Sequence, residues 1–287
     1  MGGVGTSKAD PGASLSPHPA RVDRAPGGGR IAPLLTPVAG ILAVLAAWAL
    51  VTGLFKIPDY LLPAPLDVAR RLARDWASIL AQAEFTLGAT LAGFLVSVAI
   101  GVPLAFCIVL SRAAERALMP MFVMSQTIPK VAIAPILVVW LGFGMVPKIA
   151  IAFLIAFFPI VVSTVTGLKS VELDMLDLVR SMGAGTLKIM LRVRVPTALP
   201  HMFAGFKVAI CLAVVGAIVG EFVGSDRGLG YVLLTATGSL DGTLVWSALI
   251  VLVAIGIALY AIVARIERVA IRWHVSVRAD DATLYQS

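Results

Sequence analysis

Residues 169–200 read KSVELDMLDLVRSMGAGTLKIMLRVRVPTALP and form the longest polar interruption in the C-terminal two-thirds of the chain. Long apolar segments flank this stretch on both sides. Its basic side chains are Lys169, Arg180, Lys188, Arg192 and Arg194. A basic segment between two apolar runs is typical of a loop between membrane spans. We call residues 169–200 the elbow.

The pattern inside the elbow predicts two short helices separated by a glycine break. The apolar residues of the first helix recur at helical spacing: Val171, Met175, Leu178 and Met182. Gly183 is predicted to end that helix, and Pro196 to stop the second helix before the next apolar segment. A two-helix elbow on a membrane protein suits a docking surface, and an ordinary amphipathic loop is the alternative.

The elbow resembles the EAA signature of ATP-binding-cassette (ABC) importer permeases, which reads E-A-A, three residues, G, nine residues, I-x-L-P. Asp177-Leu178-Val179, Gly183 and Val193-Arg194-Val195-Pro196 match every spacing. Asp replaces Glu, Leu-Val replaces Ala-Ala, and Val replaces both Ile and Leu. The resemblance implies a loop that fits a groove on a cytoplasmic ATPase. The coupling residues that it implies are Asp177, Leu178, Val179, Gly183, Val193, Val195 and Pro196.

The composition excludes a soluble domain. Of the 287 residues, 59% are hydrophobic and only 14% are charged, which leaves too little polar surface to cover a globule. The net charge of +7 does not indicate nucleic acid as a partner, because the basic residues are scattered between apolar runs. The chain is therefore predicted to be an integral membrane protein in contact with lipid.

Six apolar segments are long enough to cross the hydrocarbon core of a bilayer. They cover about residues 34–55, 85–110, 118–143, 146–168, 202–223 and 244–264. We therefore predict an all-α polytopic membrane protein with six transmembrane helices, and the resemblance implies the type I ABC importer permease (MetI-like) fold. The transmembrane permease domain is predicted at residues 33–270. Residues 1–32 and 271–287 are predicted to be cytoplasmic tails, the first of them disordered.

The distribution of Lys and Arg predicts the orientation. With the N-terminus inside, the cytoplasmic segments hold 15 of these residues and the opposite face holds 6. An excess of this kind favours the cytoplasm for both termini and for the elbow. The predicted location is the bacterial inner (plasma) membrane.

Three ionisable residues lie within apolar segments, where such residues are rare and often functional. Lys130 is the deepest, in a third span that Pro120, Pro129 and Pro135 are predicted to break, and it is a candidate for the translocation path or for pairing with a freed carbonyl. Glu221 lies near the outer end of the fifth span and faces either the path or headgroup water. Lys207 is predicted to extend its charge to the cytoplasmic interface.

Further segments are similar to the nitrate/sulfonate/taurine branch of these permeases. They are LPAP at 62–65, QTIPKVAIAPILVVWLGFG at 126–144, AFFPIVV at 156–162 and GLGY at 228–231. The resemblance implies a permease subunit that is not itself an enzyme. Its implied partners are a cytoplasmic ABC ATPase dimer, an extracytoplasmic solute-binding protein and a second permease copy. ATP and Mg²⁺ are expected on the ATPase, because this chain has no GxxxxGK[ST] loop.

Two other function classes are compatible with parts of the sequence. An ion-coupled secondary transporter or channel would use Lys130 and Glu221, but it leaves the elbow unexplained and needs internal repeats that we do not detect. A membrane-embedded enzyme would need a nucleophile and base or a metal site, and the chain offers only isolated candidates. Cys107 and Cys211 both lie inside apolar segments with no partner in a polar loop, so we predict neither a disulfide framework nor a metal site. No cofactor is expected in this chain.

Overall fold

The computed structural model describes residue 2, residues 32–125 and residues 127–271, with residues 32–38 as backbone only. This part of the chain is helical and contains no strand. Its α-helices are α1 (Ala32–Phe55), α2 (Pro65–Arg74), α3 (Trp76–Leu110), α4 (Arg112–Ser125), α5 (Ala134–Leu141), α6 (Met145–Lys169), α7 (Leu173–Ser181), α8 (Thr186–Ile189), α9 (Val195–Gly224), α10 (Leu229–Gly238) and α11 (Gly242–Ala270). A 3₁₀ turn, Lys130–Ile133, precedes α5, and a π-helical turn, Met190–Arg194, joins α8 to α9. The predicted tails lie almost wholly outside the described residues.

Four helices of the described residues are long and apolar enough to cross a membrane: α3, α6, the continuous run Thr186–Gly224 and α11. A fifth candidate is α4 together with Lys130–Leu141, a pair bent by 86°. The apolar stretch Ala39–Phe55 of α1 is shorter. The prediction of an all-helical multi-pass membrane protein is confirmed, whereas the count of six spans is not.

The third predicted span is broken, as its prolines indicated. Helix α4 ends at Ser125, and Pro129 has an extended backbone with ψ 92° before the 3₁₀ turn begins. Pro135 lies in the first turn of α5, where its missing N–H has no partner to lose. Pro120 differs from the expectation, because α4 continues through it. The break therefore includes residues 127–129.

Helix α6 is the centre of the bundle and packs against both α3 and α9. A Cβ atom built on Gly93 of α3 would lie 2.5 Å from the Cβ of Ala152, and one built on Gly216 of α9 would lie 2.6 Å from the Cα of Ala152. Ala152 is thus enclosed by two neighbouring helix backbones. Such contacts between small residues are how helices associate in a membrane, where burial from water contributes little.

At the end of the bundle away from the elbow, polar contacts fasten α2 to the start of α11. Arg71 donates to Asp241 at 2.9 Å, and Asp241 caps α11 by accepting from the backbone N–H of Leu244 at 3.1 Å. Burial raises the pKa of Asp241, but hydrogen bonds from Thr243 and Leu244 and the charge of Arg71 outweigh it, so the pKa lies below its ordinary value. The carboxylate therefore stays charged at neutral pH, and this fastening weakens only as the pH falls through the lowered pKa.

The packing around Ala152 generates the first prediction. Replacing Gly216 by valine forces α9 away from α6, because the new atoms overlap backbone atoms that cannot move aside. We expect a loss of about 1–3 kcal/mol in the free energy of unfolding, measured as a lower Tm of the detergent-solubilised protein. The control is Gly256→Ala on α11, where a Cβ meets no atom within 4 Å and the Tm should stay equal or rise slightly. An equal loss in both variants would contradict the close packing of α6 and α9.

Candidate functional site

The first helix of the elbow ends in a Schellman turn at the predicted glycine. The N–H of Gly183 donates to the carbonyl of Arg180 at 2.9 Å, and the N–H of Ala184 donates to the carbonyl of Val179 at 3.3 Å. Gly183 has φ +79°, in the left-handed region. A Cβ at this position meets no atom within 4 Å. Glycine is therefore favoured here by the backbone conformation and not by lack of space.

The inner face of the elbow is a small apolar cluster. Val171, Leu176 and Ile189 are its buried members. The residues that pack against them are Val179, Ala184 and Val193. Val195 packs in the adjacent cluster with Met190 and Ala198. Val179 and Val193 thus hold the two short helices together, and Val195 packs beside them in the adjacent cluster.

The outer face of the elbow is apolar and uncovered. Leu173, Leu178 and Met182 expose 74%, 62% and 77% of their surface, and Leu187 and Leu191 are exposed as well. Exposed apolar patches of this kind mark interaction sites in folded proteins. Asp177 lies on the same helix, exposes its carboxylate and accepts from Arg180 at 3.1 Å. The elbow therefore offers an apolar surface with exposed acidic side chains beside it, which are Glu172, Asp174 and Asp177.

Pro196 does not stop the second helix, which corrects the prediction. The helix runs without a break from Thr186 to Gly224, a length of 39 residues. Between Met190 and Arg194 the chain forms a π-helical turn, in which the N–H of Val195 donates to the carbonyl of Met190. This wider turn makes room for the proline ring, which would otherwise clash with a preceding carbonyl. The elbow is therefore continuous with the longest helix of the bundle.

Lys130 lies in the 3₁₀ turn after the break, at the edge of a cavity of about 390 Å³. Its ammonium nitrogen is 4.5 Å from the centre of the Phe158 ring. The other lining residues are Ile155, Pro159, Val162, Ser163 and Leu212, so the lining contains no carboxylate. A cation held over an aromatic face is stabilised by the ring and stays available to an anionic or polar group.

Glu221 is enclosed by protein, with 0% of its surface exposed. Its carboxylate accepts from the hydroxyl of Thr86 at 2.8 Å and from the backbone N–H of Gly230 at 2.7 Å. In this structure the carboxylate is therefore enclosed between these two partners. The carboxylate joins α3, α9 and the start of α10.

Sequence reasoning missed the partners of Glu221 and the role of Lys148. Lys148 is one of the six basic residues counted above on the face opposite the cytoplasm, but it is only 3% exposed and donates to the carbonyl of Arg227 at 3.3 Å. Gly228, with φ +107°, donates its N–H to Gln82 at 2.7 Å. The two glycines of the GLGY segment, which follows Glu221 closely in the chain, were the only sequence signal that the backbone comes close to the Glu221 side chain here.

Lys207 pairs with Glu267 of α11 at 2.7 Å, and both side chains are mostly buried. The two side chains form an ion pair between α9 and α11. Within residues 32–125 and 127–271, no three side chains of the metal-ligating types come together.

The amino-acid sequence was compared with protein families and with known proteins. Residues 97–272 match the family described as "Binding-protein-dependent transport system inner membrane component". A probable ABC transporter permease of Haemophilus influenzae is 36% identical over 227 residues, which cover 79% of this chain and 93% of the relative. The formylaminopyrimidine transport permease ThiX of Halalkalibacterium halodurans is 35% identical, covering 83% of this chain and 96% of the relative.

The fold also matches a solved structure. A chain of the MetNI methionine ABC transporter, in an inward-facing conformation, superimposes with a TM-score of 0.59 at 21% identity and covers 69% of this chain and 97% of its own length. Permeases named for aliphatic sulfonates and for taurine are among the relatives, which agrees with the predicted branch. The family match and the relatives above 30% identity show that the chain belongs to the family of binding-protein-dependent transport system inner membrane components, the permease subunits of ABC transporters.

Proposed function

We propose that this chain forms the translocation path of an ABC importer and couples it, through the elbow, to a cytoplasmic ATPase. The observation that carries the proposal is the uncovered apolar face of Leu173, Leu178 and Met182 on a two-helix elbow that matches the spacing of the EAA signature. So large an exposed apolar surface supports docking of another protein on the elbow, because such patches mark interaction sites.

The proposed assembly contains a second copy of this permease, two copies of the ATPase and an extracytoplasmic solute-binding protein. ATP and Mg²⁺ bind to the ATPase, and the permease contributes no catalytic group. The complex lies in the bacterial inner membrane with the elbow and both termini in the cytoplasm, in keeping with the excess of Lys and Arg on that side.

In the proposed mechanism, movement of the ATPase is transmitted to the membrane helices through the elbow. ATP binding closes the two ATPase subunits, and each elbow moves with the groove that holds it. Because Thr186–Gly224 is one helix of 39 residues, a displacement at the elbow is carried along a rod about 58 Å long. The π-helical turn at Met190–Arg194 is the point of this rod where bending is easiest. ATP hydrolysis then returns the spans to their first arrangement.

The cavity beside Lys130 is the proposed solute path. It lies at the break of the third span, where non-helical backbone inside a membrane protein needs either burial or water beside it. The proposed cargo is a small solute of the nitrate, sulfonate and taurine type or of the vitamin and pyrimidine type, in line with the range of relatives. Glu221 acts on the path indirectly, by fastening the segment from Arg227 to Gly230.

The second candidate function is ion-coupled transport without an ATPase, in which Lys130 and Glu221 bind the coupling ion. The enclosure of Glu221 argues against it, because an ion-coupling carboxylate must reach water on each side in turn. The two functions make opposite predictions for the neutral variant of Glu221, given below.

The Schellman turn generates a prediction for ATPase docking. Gly183→Val forces a β-branched residue into the left-handed region, at about 1–2 kcal/mol, and should weaken association with the ATPase about 5- to 30-fold in a pull-down of the detergent-solubilised complex. Gly183→Asn is the matched control, because asparagine tolerates this conformation and the surrounding space is open. Leu178→Asp, at an exposed position that does not affect folding, should also abolish docking. Normal ATPase association of both Gly183→Val and Leu178→Asp would contradict the proposal.

The solute path can be tested without knowing the solute. In a background with Cys107 and Cys211 replaced by alanine, Lys130→Cys should react with a charged, water-soluble thiol reagent, and ATP with vanadate should change the rate of labelling. Val253→Cys on α11, exposed on the outer surface of the bundle, is the control and should remain unlabelled in the membrane. Equal labelling of the two positions would refute the assignment.

The carboxylate of Glu221 is predicted to act through its hydrogen bonds. Glu221→Gln keeps an acceptor oxygen for Gly230 and should lower the Tm only slightly, with ATP hydrolysis by the complex retained. Glu221→Ala leaves the N–H of Gly230 unpaired and opens a cavity, with a loss of about 2–5 kcal/mol in the free energy of unfolding. Uptake that is driven by an ion gradient and lost in Glu221→Gln at unchanged Tm would instead favour the second candidate function.

A further inference from the structure

A cavity of about 320 Å³ lies between the elbow and the ends of the long helices. The end of α3, the start of α4, the end of α6 and both helices of the elbow meet around it. Its apolar wall is formed by Val109, Leu110, Val171, Leu173, Leu176, Ile189 and Met190. Its charged lining is formed by Arg112, Glu115, Lys169, Arg180 and Arg194.

The charges of this lining are unbalanced. Lys169 and Glu115 form an ion pair and neutralise each other. Arg180 reaches outward to Asp177 at 3.1 Å, in a pair that is largely exposed and therefore weak. Arg112 and Arg194 form no ion pair with any residue that the structure describes. Arg112, which is exposed, and Arg194, which is half-buried, thus line a cavity in which Glu115 is the one carboxylate and is already paired with Lys169.

Arginine side chains in this arrangement are suited to phosphate. The guanidinium group presents two parallel N–H donors that match the spacing of phosphate oxygens, and a bound anion offsets the excess positive charge of the lining. The cavity also lies where apolar helices end, which is the level of lipid headgroups in a bilayer. The apolar wall beside the arginines suits the glycerol and first methylene groups of a lipid.

We propose that this cavity binds a phosphate-bearing anion, and its position at the headgroup level favours an acidic phospholipid as the source. Arg112 comes from α4 and Arg194 from the turn that joins the elbow to α9. A phosphate held by both therefore links the elbow to the membrane domain. Its presence would restrain the elbow independently of the ATPase.

The experiment uses the full-length protein, purified in detergent and stripped of lipid, with phosphatidylglycerol titrated in and phosphatidylcholine as the neutral reference. Binding is measured by native mass spectrometry and by the rise in Tm. We expect saturable binding of phosphatidylglycerol, weakened at least tenfold in the double variant Arg112→Gln/Arg194→Gln. The matched control, Arg116→Gln/Arg192→Gln, removes two charges from the same two elements outside the cavity and should bind as the unaltered protein does.

Two single variants keep the test valid if the double variant is unstable. Glu115→Gln removes the one carboxylate of the lining and should strengthen binding, a change in the opposite direction that unfolding cannot mimic. Arg194→Lys keeps the charge but loses the paired donors, and should weaken binding several-fold. An unchanged affinity in both variants would overturn the proposal.

A second arm replaces the lipid with inorganic phosphate. Saturation by phosphatidylglycerol alone identifies a lipid site, whereas saturation by free phosphate that depends on Arg112 and Arg194 identifies a site for a soluble phosphate compound. Absence of saturable binding in both arms, or equal losses in the two double variants, would overturn the proposal. Since no ATPase is present, the result is independent of the transport function proposed above.

Discussion

The contact of α6 with α3 and α9 through Ala152 is the constraint on which the rest of the structure depends. In a bilayer, apolar side chains gain little by leaving lipid for a neighbouring helix, so close backbone approach must hold the helices together. Gly93 of α3 and Gly216 of α9 each supply that approach. These three helices hold the other elements in position: the broken third span, the elbow and the segment that Glu221 binds.

An unbroken helix joins the elbow to the bundle of α3, α6 and α9, so a movement of the elbow is transmitted to the membrane helices. A loop tethered flexibly at both ends would absorb the movement of a docked partner. Here the second elbow helix passes through a π-helical turn into α9, which packs along α6. The turn satisfies two requirements at once, because it accommodates Pro196 and leaves a point of local weakness in a rigid element.

Lys130 and Glu221 show how surroundings decide the role of an ionisable group in a membrane protein. Both lie in apolar segments of the sequence, and on the sequence alone both were candidates for the path. Lys130 lies beside a cavity with an aromatic ring beneath its charge. Glu221 has every oxygen engaged by Thr86 and Gly230. The surroundings of Lys130 leave its charge available to a solute, whereas the hydrogen bonds of Glu221 hold the backbone at Gly230 in place.

The sequence by itself determined the features that follow from local rules. Hydropathy indicated a multi-pass helical membrane protein, the spacing around Gly183 predicted the elbow and its glycine turn, and Pro129 predicted the break in the third span. Each depends on residues close together in the chain. Tertiary structure alone decided what depends on distant partners. Thr86 donates to Glu221, which is 135 residues away in the chain. Arg112 and Arg194 line one cavity although they lie on separate elements. No local sequence pattern indicates either of these contacts.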